Sequence, residues 1–542
     1  MPPPPRSSWR WRSHGRTACA LGALLGSAWL LHVACTFPPW RSEEKNVSAA
    51  LAESPDGLTR PIWEAPTSTA TSADSGAAPA VAEATFPPYV AHPDDEPAPA
   101  VPIEGVERLD YYYGKLTLTD LGTKGAITRA SQWGDSVIGG DGLTEAIRKR
   151  LQQRFGDAGH GFHALGPYSR WYRHRGVSYK ELSDWDTCLI IFKCRSDRRY
   201  GYGGVTSESS GRARSQWRTV DQDIGRSLSR FELWYQKRPD GGSFQILVDG
   251  RVERVLNTRA AEVSDAVETV QFEDAAHDVQ VAALGNGVAR GYGVVLERDV
   301  PGAVWDELAL IGSFIQRLDY EDPEHIAGQV KRRDVDLLAF MFGGNDLSRE
   351  HGDLKHTTAP YEAEYSRVLQ KFRKGKPEAS CLILAMTDHA QRIDGAIVSR
   401  PMVGRLVAAQ RKVAAAEGCA FFDTFKAMGG IGAVERGRQG KPILYSPDLR
   451  HPAVAGQQRI GTLLYHALMH GYADYRRRLT GQPLPLASLS AQNPPDRDVV
   501  RDRSAKADQV VDLMVPEHAG PRIGTSEPVH DRPSRVEDPA EK

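Results

Sequence analysis

Between about residue 105 and residue 480, the apolar positions of this chain change period again and again. Val335 to Gly344 (VDLLAFMFGG) is a continuous apolar run closing on glycines, the pattern of a strand buried on both faces. Cys381 to Met386 (CLILAM) and Cys419 to Phe425 (CAFFDTF) repeat it. Between these runs the period lengthens to that of a helix. Leu143, Ile147, Leu151 and Phe155 recur every four residues, with Asp141 placed to cap them. Tyr361 to Phe372, Met402 to a stop at Gly418, and Gln457 to Leu479 read as further helices. Strand and helix in alternation predict an α/β body with a parallel sheet covered on both faces.

One region breaks the alternation. From Gly166 to Arg298 the chain has short β-runs and tight turns, as in RFELWYQ, Pro239-Asp240-Gly241-Gly242, SFQILVDG. HDVQVAAL, Gly285-Asn286-Gly287 and YGVVLE repeat the idea, and read as hairpins they predict an inserted β-sandwich. The ends differ again. Arg6, Arg10, Arg12 and Arg16 precede an apolar stretch from Ala18 to Cys35, so residues 1–36 are expected to be a signal peptide or membrane anchor. Residues 37–104, rich in Pro and Ala, are expected to be a disordered tether, and the charged residues 481–542 a disordered tail. The folded body then comprises 105–165, the insertion 166–298, and 299–480.

Composition narrows the function. A formal net charge of −1 over 542 residues gives no basic surface for nucleic acid. There is no zinc-like cysteine spacing, and Gly201-Tyr202-Gly203-Gly204 lacks the lysine of a phosphate loop. The six cysteines leave the redox compartment open. Cys188 and Cys194 are spaced so that they bridge or stay apart, while Cys381 and Cys419, opening strand-like runs, read as ordinary buried thiols.

Chemistry in an open α/β sheet gathers beyond the carboxyl ends of the strands. ITRASQWGDSVIGG places Ser136 at such an end, and Gly343-Gly344-Asn345-Asp346 stands at another. YSPDLRHPAVAG, before the last helix, sets Asp448 three residues ahead of His451. A serine nucleophile needs a base, and the base needs an acceptor to fix its tautomer. Ser136, His451 and Asp448 supply those roles, and the Asn345 amide is a donor for an oxyanion. Ile138 stands where a Gly-x-Ser-x-Gly elbow has its last glycine, which argues against an α/β-hydrolase.

Gly-Asp-Ser, then Gly-x-Asn-Asp, then Asp-x-x-His, in that order on an alternating body, resemble the SGNH (GDSL) hydrolases. The resemblance implies a flavodoxin-like three-layer sandwich with a parallel sheet, here carrying the inserted β-sandwich-like domain. It also implies an oxyanion hole made by Ser136, Gly312 and Asn345, with Gly312 taken from WDELALIGSF. The stretch from Gly134 to Phe162 is similar to an exported branch that includes bacterial peptidoglycan O-acetylesterases, although Val137 stands where relatives often have histidine.

The expectation is an exported serine esterase that removes O-acetyl groups from a cell-wall polysaccharide, with peptidoglycan as leading substrate. It needs no metal or organic cofactor, and it meets the membrane through its N-terminal segment. An O-acetyltransferase with the same triad, or a non-catalytic wall-binding protein, are the alternatives. Trp133, Tyr168, Trp171 and Tyr172 are candidates to stack on sugar rings, Asp346 to brace a loop, and Asp388 and His389 to touch substrate.

Overall fold

The computed structural model describes residues 85–484, apart from 96–97, 167, 170–171 and 349–356. The expected anchor, most of the tether and nearly all of the tail lie outside the described residues, as does Trp171. Among the described residues no helix is long and apolar enough to cross a membrane.

The central sheet is parallel throughout. Its strands are β1 (Ile127–Gly134), β2 (Gly302–Ala309), β3 (Leu337–Met341), β4 (Ser380–Leu384) and β5 (Ala420–Phe422). They lie in the order β2-β1-β3-β4-β5, so the winding reverses between β1 and β3. Gly134, the last residue of β1, pairs with Ala309 on one side and Met341 on the other. The loops after β1, β2 and β3 therefore leave the sheet together, at the switch point where such folds bind ligands.

Alternate strand residues serve opposite layers, which explains the unbroken apolar runs. Leu337, Ala339 and Met341 pack with α1 (Asp110–Asp120), α2 (Gly142–Phe155) and, late in the chain, α6 (Val454–Leu479). Leu338 and Phe340 point the other way, toward α3 (Pro323–Arg333), α4 (Ala359–Arg373) and α5 (Met402–Ala416). Gly418, at φ +68°, ends α5 as its position suggested.

The insertion is a pair of antiparallel sheets. The smaller has the order Val177–Ser183, Arg214–Thr219, Asp278–Ala283, Ser243–Val248, Arg251–Asn257. The larger is built around Leu228–Lys237 and Ala289–Glu297, and it recruits Gly159–His163 from the body. Trp217, Phe231, Leu233 and Phe244 fill the space between the two. On its other face the larger sheet sends Phe162, Trp234 and Tyr292 into the same core as Trp133, Phe340 and Val368.

Several expectations are corrected here. The two glycine turns are not hairpins: each carries the chain from one sheet of the sandwich to the other. A side chain at Gly241 would overlap Thr258 O, and one at Gly242 would lie 2.5 Å from Gly287 O, so the corner is closed by backbone on backbone. The hairpin lies one strand later, at Asp249 (φ +50°) and Gly250 (φ +78°). Asp141 does not cap α2 through its side chain. Its carboxylate accepts instead from Thr144 Oγ1 at 2.5 Å, Arg148 Nη2 at 2.5 Å and Arg175 N at 2.7 Å.

The expected tether packs on the body well before residue 105. Phe86 N–H donates to Gln482 O at 2.9 Å, Phe86 meets Tyr475 edge-on, and the buried Asp95 accepts from Arg154 at 2.8 Å. Residues 481–484, expected in the tail, supply the other half of this contact. Cys381 and Cys419 are a disulfide, not free thiols, because β4 and β5 are neighbours and bring their Cα atoms to 4.6 Å. Cys188 and Cys194 are also bonded.

Candidate active site

Ser136 stands two residues beyond β1, in a turn that its neighbour builds. Asp135 N–H donates to Met341 O at 3.3 Å, and the Asp135 carboxylate accepts from Val137 N–H at 2.9 Å. Asp135 is buried, and burial pushes its carboxyl up to about 6. The Val137 N–H, the charge of His451 and the Gly344 N–H oppose that rise. One carboxylate thus ties the serine turn to the glycine loop after β3. Sequence reasoning passed over Asp135; its place beside Ser136 was the available signal.

His451 arrives on a closed loop between Tyr445 and Pro452, which pair across it. Ser446 N–H donates to His451 O at 2.8 Å. Leu449, buried at φ +63°, anchors the loop's middle, and its carbonyl accepts from Ala390 N–H at 2.9 Å. No sequence signal marked Leu449 for this role. Asp448 Oδ2 lies 2.6 Å from His451 Nδ1, and Ser136 Oγ lies 2.7 Å from Nε2. A neutral imidazole in this row carries its proton on Nδ1, donates to Asp448, and accepts from Ser136 through Nε2. Burial alone would raise Asp448. Hydrogen bonds from the His451 ring and from the N–H groups of Arg450 and His451 outweigh it and hold the carboxyl below its usual range. The His451 and Asp448 side chains are 40% and 46% exposed, so the base and its acid are open to solvent.

The loops after β2 and β3 bring the remaining candidates. Leu310 N–H donates to Gly134 O at 2.8 Å, which fixes the start of the β2 loop against β1. Gly312 has φ +82°, and a Cβ there would meet no atom within 4 Å, so its open side faces free space. Asn345 Nδ2 donates one hydrogen to Ser313 O at 2.9 Å, which ties the two loops and leaves its second hydrogen for another acceptor. Asp346 is buried and opens a single 3₁₀ turn to Ser348.

Asp388 is a brace. It accepts from Ser399 Oγ at 2.8 Å and Val434 N–H at 3.1 Å, and so holds the hairpin Ala390–Ile393/Ala396–Ser399. His389 is nearly buried at the edge of the site, where burial pushes it down to about 4 and keeps it neutral. Trp133 is not a sugar platform. It is fully buried, stacked on Phe340 with ring centroids 5.4 Å apart, and its Nε1 donates to Tyr202 O at 3.0 Å. Tyr168 and Tyr172 pack on each other at 4.7 Å, and the Tyr168 hydroxyl donates to Ala309 O at the end of β2.

Residues 274–459 match the family model of the GDSL-like lipases and acylhydrolases. The chain carries an SGNH hydrolase domain. Gly312, Asn345, Asp448 and His451 fall inside the matched stretch, while Ser136 precedes it, cut off from the other blocks by the inserted strands. A solved peptidoglycan O-acetylesterase superposes with a TM-score of 0.54 at 19% identity, covering 66% of this chain and 94% of that one. That likeness establishes the fold, insertion included. A carbohydrate esterase of family 3 from Talaromyces cellulolyticus (16% identity, 33% of this chain and 75% of that one) reaches a TM-score of 0.24. An acetylxylan esterase from Geobacillus stearothermophilus (19% identity, 31% and 73%) reaches 0.23. Among curated proteins no sequence match was found.

Proposed function

We propose that this SGNH hydrolase is an exported serine esterase that removes O-acetyl groups from a cell-wall polysaccharide, peptidoglycan foremost. The observation that carries the reading is the continuous row from Ser136 Oγ through His451 to Asp448. Ser136 Oγ attacks the ester carbonyl while His451 Nε2 takes its proton. Asp448 keeps the ring oriented and stabilises the imidazolium. Ser136 N–H, Gly312 N–H and the second Asn345 Nδ2 hydrogen stabilise the oxyanion. His451 then protonates the departing sugar oxygen, and a water deprotonated by the same ring releases acetate from the acetyl-serine.

Three observations support a wall substrate outside the cytoplasm. The first is the likeness of fold to a peptidoglycan O-acetylesterase over 94% of that protein. The second is the exposure of the base and its acid. The third is the pair of disulfides, which belong to oxidising compartments. The basic and apolar first forty residues are the export and anchoring signal in this reading. The test is acetate release by the full chain and by its Ser136→Ala variant, from O-acetylated peptidoglycan and acetylxylan in parallel. Release from peptidoglycan that depends on Ser136 is expected. Release from acetylxylan alone would move the substrate to plant-type glycans.

A further inference from the structure

Beyond the C-terminal end of β4, His389 and Ala390 run past the catalytic loop with a neighbour on each side. Ala390 N–H donates to Leu449 O at 2.9 Å, and Arg400 N–H donates to His389 O at 2.7 Å. Arg450 follows Leu449 and immediately precedes His451. The two arginines thus start from backbones that flank the same two residues. Their charges converge there too. His389 is lowered first by burial and then by His451, Arg400 and Arg450, while Arg400 is lowered by burial and then by Arg450. His389 Nε2 in turn lies against Gly344, next to Asn345.

Several buried arginines of the body are paired with carboxylates. Arg148 meets Asp141, Arg154 meets Asp95, and Arg333 meets both Asp306 and Glu297. Among the described residues Arg400 and Arg450 have no carboxylate partner, and Arg400 Nε is buried without an acceptor. Two like charges held together without a counter-ion repel, and an anion placed between them relieves the repulsion and fills the empty hydrogen-bonding positions. Guanidinium groups suit a carboxylate, whose two oxygens match their forked donors.

We propose that Arg400 and Arg450 form a carboxylate-binding subsite beside His451, so that the enzyme selects O-acetylated glycans bearing an acidic group close to the ester. This deepens the esterase reading above and rests on it. The carboxylate comes either from the sugar itself or from a peptide attached to it.

The test uses the full chain and a ratio, so that the amount of active enzyme cancels. kcat/KM is measured on an anionic small acetate, 3-acetoxybenzoate, and on a neutral one, 4-nitrophenyl acetate. In Arg400→Gln/Arg450→Gln the anionic-to-neutral ratio should fall about tenfold, as expected when a charge-assisted pair is lost. Arg400→Lys/Arg450→Lys should keep part of it. The ratio of the unaltered enzyme should also decline with added salt, and that of the double Gln variant should not. A ratio within twofold of the original in the double Gln variant overturns the subsite. O-acetylated peptidoglycan before and after enzymatic removal of its stem peptides identifies the source. Arginine dependence that vanishes on stripping assigns the carboxylate to the peptide, and dependence that persists assigns it to the sugar. An enzyme that hydrolyses both small esters with the arginine-dependent ratio, yet releases nothing from wall polymer, would refute the wall substrate and leave the subsite standing.

Discussion

Removing the nucleophilic oxygen and removing the base should cost alike, because each leaves the other without a partner 2.7 Å away. Ser136→Ala and His451→Ala are each expected to lower kcat on 4-nitrophenyl acetate by about 10³-fold or more, with an unchanged melting curve. Asp448→Ala should cost less, since the nucleophile and the base both remain and no amide NH2 is forced against His451 Nδ1. Activity of Ser136→Ala within tenfold of the original would sink the mechanism. Asn345→Ala is a separate test, expected to lower kcat by about 10²- to 10³-fold with little change in KM. A change in KM alone would make Asn345 a binding residue. At this scale the sequence was readable where chemistry demands a residue type: a serine, a histidine, an acid three positions before it, an amide after glycines. It was silent where the requirement is geometric. Nothing in the letters says that Leu449 adopts φ +63° or that Asp135 accepts an N–H from another strand's loop.

The elements show why the insertion is no detachable module. Glu297, fully buried on a strand of the larger antiparallel sheet, receives Arg129 from β1 at 2.9 Å and Arg333 from α3 at 2.6 Å, and also Arg230. Arg333 continues to Asp306 on β2 at 2.8 Å. Glu297→Gln leaves the buried guanidinium groups short of one countercharge and should cost about 3–5 kcal/mol in urea unfolding. The exposed pair Lys374–Glu324 serves as control, where Glu324→Gln should cost no more than about 1 kcal/mol. Equal losses would show that the junction is not electrostatically buried. The expectation that exposed Trp and Tyr of the insertion stack on sugar is narrowed by the same packing. Trp185, Trp217 and Trp234 are buried, and Phe192, 71% exposed, is the large aromatic left open among the described insertion residues. Phe192→Ala should therefore weaken sedimentation with insoluble wall and leave hydrolysis of a soluble ester within a few-fold. A parallel drop in both would tie Phe192 to the fold or the site. β3, β4 and β5 and the helices α2, α4, α5 and α6 were legible because each keeps one period over its length, whereas α1, α3 and β2 went unmarked. The sheet-to-sheet crossings were not legible, since the same Gly-rich letters serve a hairpin and a corner.

For the molecule as a whole, titratable groups that folding removes from water make stability depend on pH, and they act in opposite directions. His160 and His389 are pushed down to about 4, and His163 and His174 well below the usual histidine range, in each case by burial first. Unfolded histidine takes a proton near pH 6.5, so from there downward the unfolded chain binds more protons, and stability falls as pH falls. Asp135, pushed up to about 6, and Glu307 and Glu321, pushed well above the usual carboxyl range, work the other way. Their unfolded counterparts ionise near pH 4, so these groups lose stability as pH rises toward their folded values. Above about pH 6.5 the histidines have finished, while the two glutamates, held well above the usual carboxyl range, continue. Glu307 isolates this limb. Both its oxygens are buried without a partner, Asp141 raises it further, and Arg148 opposes the rise. It lines a small cavity with Phe162, Tyr172 and Leu308, where body and insertion meet. Glu307→Gln removes the titration and keeps the shape. Its melting temperature should exceed that of the unaltered protein by a margin that is small at pH 4.5 and grows steadily to pH 8. A margin that is constant across that range would mean that Glu307 is already ionised in the folded protein at low pH, with a countercharge among its neighbours, and that burial does not control it.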